Sequence, residues 1–195
     1  VWYPGALGGL AAARVLFGLA CPGGRLPITF YRSEADLPDF TDYRMQGRTY
    51  RYMQVPALYP FGFGLSYSRF ALSGLTAEKE PDGPAGFAGV TLEMRVENTG
   101  AFAEEVTLQA YIRDHDSPFA VPNVSLCGFT HVFLQPGQGE QVRLRIPRDR
   151  FESVNEQGQR VLAGRRYTLY FGLTQPDARS IALAGQAPLS VEIAL

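Results

Sequence analysis

Hydrophobic and polar residues alternate along much of the second half of the chain. The clearest run spans 90–96, where Val, Leu and Met fill every second position and Thr, Glu and Arg fill the positions between. Successive side chains of a strand point to opposite faces, so this run predicts a half-buried antiparallel strand. The same parity recurs in four further runs, at 106–112, 142–146, 167–173 and 189–193.

Two more apolar runs, at 72–77 and 128–134, bring the predicted strands to about seven. That number of short strands, separated by glycine, proline and asparagine clusters, is typical of an immunoglobulin-like or fibronectin type III-like β-sandwich. We predict this mainly β fold for residues 71–195. Trp2, the only tryptophan, precedes the strands, so the cysteine-tryptophan-cysteine core of antibody domains is absent. The pattern therefore favours the fibronectin type III-like variant.

The first 45 residues follow a different pattern. The run 10–17 carries one charge, Arg14, and ends before Gly18, which predicts a short helix that is apolar nearly all round and buried on more than one side. The run 26–31 predicts a strand. One helix and one strand cannot enclose a core, so residues 1–45 are predicted to be the remnant of an α/β domain. We expect the helix to pack on the sandwich or the linker, or to drive self-association, through Leu10, Val15, Leu16 and Phe17.

Residues 46–70, the linker, join these two patterns and are rich in aromatic rings. The linker holds Tyr at 50, 52, 59 and 67 and Phe at 61, 63 and 70, among prolines and glycines. Large rings beside turn-forming residues predict a packed, irregular connector. The alternative is that exposed, coplanar rings bind sugars by stacking.

Composition narrows the classes of partner. The net charge is -1, and Lys79 is the only lysine among 18 cationic residues, which predicts no basic patch and no nucleic-acid partner. No apolar run approaches the roughly 20 residues of a membrane span, so no membrane association is predicted. Cys21 and Cys127 lack metal-site spacing, and we predict free thiols rather than a disulfide. Free thiols favour a cytoplasmic over a secreted location.

Few residues have a pattern suited to catalysis. Asp114, His115 and Asp116 place a histidine between carboxylates, but neighbours on an extended chain point apart, so a turn is predicted. His131 lies in an apolar run and is predicted to be a core or edge residue rather than a metal ligand. The other acids weighed as a glycosidase pair lie beside turns: Glu104, Glu105, Asp149 and Glu152.

Two further groups resemble ligand sites only in part. The glycines at 5, 8 and 9 do not match a phosphate-loop spacing, so they predict a tight turn and close packing. The acids Asp36, Asp39 and Asp42 predict a solvated loop rather than a cation site.

Asn123-Val124-Ser125 is a glycosylation sequon, which matters only in a secreted eukaryotic protein. Taken with the other candidates, the residues predict no catalytic group, no cofactor and no metal ion in this chain. Substrate-binding residues stay open.

Several long motifs, in order along the chain, resemble family 3 of the glycoside hydrolases. The end of that family's middle α/β domain is similar to residues 2–30, WYPGALGGLAAARVLFGLACPGGRLPITF. Its linker is similar to residues 48–70, RTYRYMQVPALYPFGFGLSYSRF. Its fibronectin type III-like domain is similar in VENTG, PGQGEQV and AGRRYTLYFG.

The resemblance implies a parent protein that is a retaining β-glucosidase or β-xylosidase. In the family the aspartate nucleophile lies in an N-terminal barrel, and the acid/base glutamate lies upstream of the turn matched at 2–5. Retaining hydrolysis needs both carboxyls, so this chain alone is expected to be inactive. It is expected to brace the upstream catalytic domains, its partners, while the parent binds a β-linked oligosaccharide. The alternative is a stand-alone carbohydrate-binding or protein-interaction module.

Overall fold

The computed structural model describes residues 3–84 and 86–195, and most of its regular structure is β-strand. In chain order the strands are β1 Phe70–Lys79, β2 Gly89–Asn98, β3 Glu104–Asp114, β4 Ser125–Leu134, β5 Gly139–Pro147, β6 Ser153–Val154, β7 Arg160–Val161, β8 Arg166–Gly172 and β9 Leu189–Ala194. One sheet has the order β1-β2-β5 and the other β4-β3-β8-β9, with all pairs antiparallel. The seven predicted strands and the β-sandwich are confirmed.

The core lies between the two sheets and uses the alternate positions that the sequence predicts. All four apolar residues of β2 face it, as do those of β3 and β8. Burial of each such side chain contributes about 2 kcal/mol before the loss of chain entropy is set against it. The completely buried aliphatic residues of β2 and β3 are Val90, Leu92, Met94, Val96, Val106, Leu108 and Ala110.

Strand β3 departs from the simple alternation because it is buried on both faces. Thr107, Gln109 and Tyr111 point away from the core, yet they are only 8%, 3% and 0% exposed. The linker covers this outer face, since the Gln109 side chain donates to the Gly62 carbonyl and the Tyr50 hydroxyl accepts from the backbone of β4.

The helix predicted at 10–17 is present as α1, Gly8–Leu16. As predicted, it ends before Gly18, whose φ of 72° is left-handed. The predicted burial is wrong, because Leu16 and Phe17 are 80% and 81% exposed and Leu10 is also exposed. In the described chain the helix meets the linker through a hydrogen bond from the Tyr67 hydroxyl to the Val15 carbonyl (2.8 Å), which covers little apolar surface. Self-association stays a prediction.

The strand predicted at 26–31 is wrong. This segment runs beside the linker with a single isolated β-bridge, between Phe30 and Tyr59. Pro27 and Pro60 carry no N–H, so they interrupt the ladder that a regular strand pair requires. The backbone hydrogen bonds that remain join Leu26 N to Phe63 O, Gly62 N to Leu26 O, Phe30 N to Tyr59 O and Leu58 N to Phe30 O.

The short helix α2, Thr49–Tyr52, opens the linker, and α3, Ala178–Ala184, lies between β8 and β9. The hydrophobic pattern predicts neither α3 nor the hairpin of β6 and β7, because such short elements show no clear hydrophobic period. The caps of α3 are the pattern that identifies it: the Asp177 carboxylate accepts from Ser180 N at 3.0 Å, and Gly185 has a φ of 71°.

Trp2, which is predicted to precede the sandwich, lies outside the described residues. No helix in the described ranges is both long and apolar enough to cross a membrane.

Candidate functional site

Amide side chains of the sandwich hold the linker on the outer face of the four-stranded sheet. Three of them, on β3, before β4 and after β8, donate to carbonyl oxygens of the linker backbone, and we name this contact the linker interface. The bonds run from Gln109 to Gly62 O (3.1 Å), from Asn123 to Tyr50 O and Met53 O (2.9 and 2.8 Å), and from Gln175 to Phe61 O (2.7 Å).

Gln109 lies at the centre of the linker interface, and every polar atom of its side chain is used. Its Nε2 donates to Gly62 O and, at 3.0 Å, to Leu173 O, while its Oε1 accepts from the Tyr111 hydroxyl at 2.7 Å. Burial raises the pKa of Tyr111, so this hydroxyl stays protonated and available as a donor. The network is neutral and fully paired, which is the condition under which buried polar groups stabilise a fold.

Gly62 is required where the linker crosses Gln109. Its φ is 78°, in the left-handed region, and a Cβ there would lie 2.2 Å from Gln109 Oε1 and 2.6 Å from the Tyr111 hydroxyl. Glycine is therefore the residue that permits both this backbone conformation and this close approach.

Aromatic rings fill the space around these hydrogen bonds. Tyr50 stacks on Phe61 with centroids 4.4 Å apart and meets Tyr111 edge-on at 6.2 Å. The Tyr50 hydroxyl accepts from Leu126 N at 2.9 Å, and burial raises its pKa. Around Tyr50 these rings therefore form the packed connector that the sequence predicts.

Asn98 fixes the far end of the linker. It is completely buried, and its Nδ2 donates to Phe102 O (2.7 Å) and Leu134 O (3.1 Å). Its Oδ1 accepts from the Ser68 hydroxyl and from Gly100 N. One amide therefore ties the end of the linker to the turn after β2 and to the end of β4.

The sequence pattern predicted none of these four amide contacts, and the alternation in β3 placed Gln109 on the solvated face. Asn123 was noted only as part of a sequon. In the folded chain both hydrogens of its Nδ2 point to carbonyls of the linker. At the centre of β3 the outer face carries the uncharged side chains of Thr107, Gln109 and Tyr111 where a solvated strand would carry charges, and this is the sequence pattern that indicates a covered face.

The Asp114, His115 and Asp116 group forms the predicted turn. Asp114 Oδ1 accepts from the backbone nitrogens of Asp116 and Ser117, as in an Asx turn. Asp116 turns away to accept from the backbone of the 165–166 segment, and His115 pairs with Thr168 Oγ1 at 2.7 Å. The three side chains do not converge on one point.

His131 lies on the outer face of β4, an edge strand, which agrees with the predicted edge position. Its Nδ1 is 3.1 Å from Thr107 Oγ1, and its ring meets Phe129 edge-on. Glu104 is only 2% exposed and accepts from the Ser66 hydroxyl, whereas Glu105 is exposed.

The remaining acids make separate local contacts. Glu152 pairs with Arg148 at 3.1 Å, and Asp149 lies 3.8 Å from Arg150. Asp36 caps the 3-10 turn Glu34–Asp36, Asp39 accepts from Thr41, and Asp42 pairs with Arg44. Within the described ranges, no group of three or more His, Cys, Asp or Glu side chains is arranged to hold a metal ion.

The glycine cluster makes the predicted turn and close packing. Gly5 has a φ of 63° and accepts from Gly8 N at 3.2 Å, and a Cβ on Gly8 would lie 2.2 Å from Pro4. The two cysteines are free thiols, as predicted. Burial raises the pKa of Cys127 to about 12, which keeps it an unreactive core residue.

Two family profiles match the chain, one over its first 67 residues, including most of the linker, and the other over much of the sandwich. The profile described as the glycosyl hydrolase family 3 C-terminal domain matches residues 1–67. The profile described as the fibronectin type III-like domain matches residues 106–175. The first match ends inside the linker, and the second spans β3 to β8.

Relatives with these domains align over nearly the whole chain. A xylan 1,4-beta-xylosidase of Xylanibacter ruminicola is 38% identical over 90% of this chain and 20% of its own length. A periplasmic beta-glucosidase of Salmonella typhimurium is 32% identical over 88% of this chain and 24% of its own length. The chain thus spans about a quarter or less of the curated relatives it matches.

Solved structures agree with these matches. Beta-glucosidase 3B of Thermotoga neapolitana superposes with a TM-score of 0.77 at 28% identity, over 96% of this chain and 26% of that one. The order of residues 1–45, linker and sandwich is therefore shared with a solved beta-glucosidase. The chain belongs to glycosyl hydrolase family 3, whose C-terminal domain profile matches residues 1–67 and whose fibronectin type III-like profile matches residues 106–175.

Proposed function

We propose that this chain is the non-catalytic C-terminal part of a longer β-glucosidase-like or β-xylosidase-like hydrolase, and that its sandwich braces the catalytic domains through the linker. The observation that carries the proposal is the double burial of β3, whose outer face is sealed by the linker. A connector that is bonded along its length to a sandwich holds the domain at its other end in one orientation.

The chemistry of the linker interface supports a permanent contact. Its donors are neutral amides and its acceptors are backbone carbonyls, so neither pH nor salt weakens it. Each hydrogen bond contributes about 1 kcal/mol, while an unpaired buried partner costs about 1–3 kcal/mol. Opening the interface would expose several such groups at once, and the linker is therefore expected to unfold together with the sandwich.

The carboxylates of the described chain support a non-catalytic role. Glycoside hydrolysis uses two carboxyls on opposite sides of the scissile bond. Here Glu152, Asp149, Asp42 and Asp116 are each engaged with a neighbouring arginine or backbone nitrogen. The reacting carboxyls of the parent are proposed to lie in its other domains.

The test compares three proteins: this chain, the longer protein that contains it, and that protein without residues 71–195. The chain alone is expected to release no product from aryl β-glucosides or aryl β-xylosides, whereas the longer protein hydrolyses at least one of them. Removal of the sandwich is expected to lower the thermal midpoint of the remainder. Turnover by the chain, or an unchanged midpoint after removal, would contradict the proposal.

A sugar-binding role for the linker has one observation in its favour. Tyr59, which is 42% exposed, stacks on Phe63 with centroids 5.5 Å apart and planes inclined by 19°. Phe63 covers one face of Tyr59, however, and Phe30 meets Tyr59 edge-on with centroids 6.4 Å apart, so much of the ring that a sugar would stack on is already in contact with neighbouring rings. Calorimetric titration of the chain with xylo- and gluco-oligosaccharides tests this second function, and we expect no saturable heat.

A further inference from the structure

A cavity of about 330 Å³ lies where the linker, the sandwich and the segment beside the linker meet. Its walls come from the linker at 53–60, from Thr29, from residues near the ends of β3 and β8, and from the start of α3. We name it the linker cavity. Its volume is at the lower end of the range for small-molecule sites, so it has room for one small ligand.

Two polar atoms in residues that line the linker cavity have no hydrogen-bond partner among the described residues. They are the Nε of Arg179 and the hydroxyl oxygen of Thr29, and both are buried. Buried polar atoms in folded proteins are nearly always paired, so an unpaired one needs an explanation. Two of them on opposite sides of one cavity, on α3 and on the segment beside the linker, indicate that a polar ligand completes the site.

The walls of the linker cavity carry an excess of positive charge. Arg113 is exposed, Arg179 donates to the Leu58 carbonyl at 3.0 Å, and neither arginine forms an ion pair within the described chain. Asp177, the carboxylate among the lining residues, is already engaged, because its two oxygens accept from the backbone nitrogen and the hydroxyl of Ser180. Two guanidinium groups without a counter-charge favour an anion, and the planar fork of arginine suits a carboxylate.

The rest of the lining indicates what kind of molecule carries this carboxylate. Met53, Pro56 and Pro176 supply apolar walls, and Thr29 and Tyr170 supply hydroxyl groups. A bare phosphate ion would leave the apolar walls without a contact, whereas a carbon skeleton that bears hydroxyl groups meets both kinds of wall. The linker cavity therefore suits a polyhydroxy carboxylate of about the size of a monosaccharide.

We infer that the linker cavity binds a monosaccharide-sized polyhydroxy carboxylate, the class to which the hexuronates belong, and that Arg113 and Arg179 hold its carboxylate. The inference goes beyond the proposed function and does not depend on it, since a bracing domain needs no ligand. The walls of the cavity belong both to the linker and to the sandwich. A bound anion therefore joins the two and stabilises the folded chain against unfolding.

The test is calorimetric titration of the chain and of the longer protein with D-glucuronate, at an ionic strength held constant with sodium chloride. We expect saturable binding with a dissociation constant of about 1 mM or lower. At about ten times that concentration the thermal midpoint should rise by about 3 °C or more. D-Glucose, in which a hydroxymethyl group replaces the carboxylate, is the matched neutral probe, and inorganic phosphate is the anion without a carbon skeleton. Each should bind at least about ten-fold more weakly than glucuronate.

Two variants assign the binding to the linker cavity. Arg113→Gln, at an exposed residue, should fold normally and weaken glucuronate binding by about ten-fold or more. Arg69→Gln is the matched control, because it removes one positive charge from an exposed residue that does not line the cavity, and its affinity should equal that of the wild type. Thr29→Val removes a hydroxyl that has no partner in the described chain, so the thermal midpoint without ligand should stay the same while glucuronate binding weakens by about three-fold or more.

Several results would overturn the inference. The absence of saturable heat with glucuronate in both proteins is one, and binding by the chain but not by the longer protein is another, since a different part of that protein would then fill the cavity. Equal affinity for glucose or phosphate would refute the assigned ligand class, and an unchanged affinity in Arg113→Gln would refute the assigned site. None of these results bears on bracing, which removal of residues 71–195 tests separately.

Discussion

The two sheets of the sandwich share one core but have outer faces of opposite character. The three-stranded sheet carries cross-strand ion pairs on its outer face, such as Arg143 with Glu93 and Arg145 with Glu80. The four-stranded sheet carries Gln109 and Tyr111 there, buried beneath the linker. Where the linker crosses the four-stranded sheet the outer residues are uncharged, whereas the three-stranded sheet carries charges there, and this difference separates a solvated face from a covered one.

The difference has a physical cause. A charged side chain can leave water only at a cost of several kcal/mol unless it is well paired, whereas an amide needs only its hydrogen bonds to be replaced. Gln109 finds three such replacements, in Gly62, Leu173 and Tyr111. A covered face therefore selects amides and hydroxyls, and an open face tolerates Arg and Glu.

Gly62→Ala, on the covered face, should produce the largest loss of stability. The left-handed φ and the close approach to Gln109 together predict a loss of about 3 kcal/mol in the free energy of unfolding. Gly74→Ala is the matched control, because its φ of 66° is similar but nothing lies within 4 Å of its Cβ position. We expect a loss of about 1 kcal/mol there. Equal losses in urea denaturation would show that the close approach contributes nothing.

Gln109→Ala should produce the second largest loss in the free energy of unfolding. The substitution leaves the carbonyls of Gly62 and Leu173 without a donor inside the protein, which is expected to cost about 2–4 kcal/mol in urea denaturation. Gln141→Ala on the open face removes one exposed hydrogen bond to Glu93 and should leave the midpoint unchanged. Equal losses of stability in Gln109→Ala and Gln141→Ala would contradict the distinction between the covered and the open face.

Thr49→Asn tests the start of the linker. Thr49 has a φ of 53°, a conformation that a β-branched residue adopts at a cost and that asparagine tolerates better. The variant is expected to be more stable by about 0.5–1 kcal/mol, as measured by urea denaturation. Thr41→Asn, on an exposed loop residue, is the control, and a destabilised Thr49→Asn would contradict the interpretation.

The smallest effect concerns pH and the open face. Hydrogen bonds from Arg145 lower the pKa of Glu80 from its usual value near 4.5, so its charged form is favoured in the folded state. The resulting stabilisation is present above pH 4.5 and disappears as pH falls through the lowered value. In low salt, Glu80→Gln should reduce the fall of the thermal midpoint between pH 5 and pH 3. In 0.5 M salt the wild type and the variant should converge, and a difference that persists there would refute a surface origin.

The sandwich was predictable from sequence because the residues that recur with the two-residue hydrophobic period are also the residues buried in the core. Val90 to Val96 alternate strictly, and each apolar residue is in the core. The linker interface was not predictable, since its key residues lie far apart in sequence and only the fold brings Gln109, Asn123 and Gln175 onto one surface. The strand expected at 26–31 failed for a related reason: apolar composition indicates burial, but a strand also needs an uninterrupted partner, and Pro60 interrupts it.

Engagement of Asn123 has a consequence for production of the protein in a secretory host. An oligosaccharyltransferase needs a free amide nitrogen, and in the folded chain both hydrogens of Asn123 Nδ2 are committed to Tyr50 O and Met53 O. A glycan added during translocation, before the linker docks, would occupy the place of the linker itself. Glycan transfer to Asn123 and docking of the linker are thus mutually exclusive, and whichever happens first prevents the other.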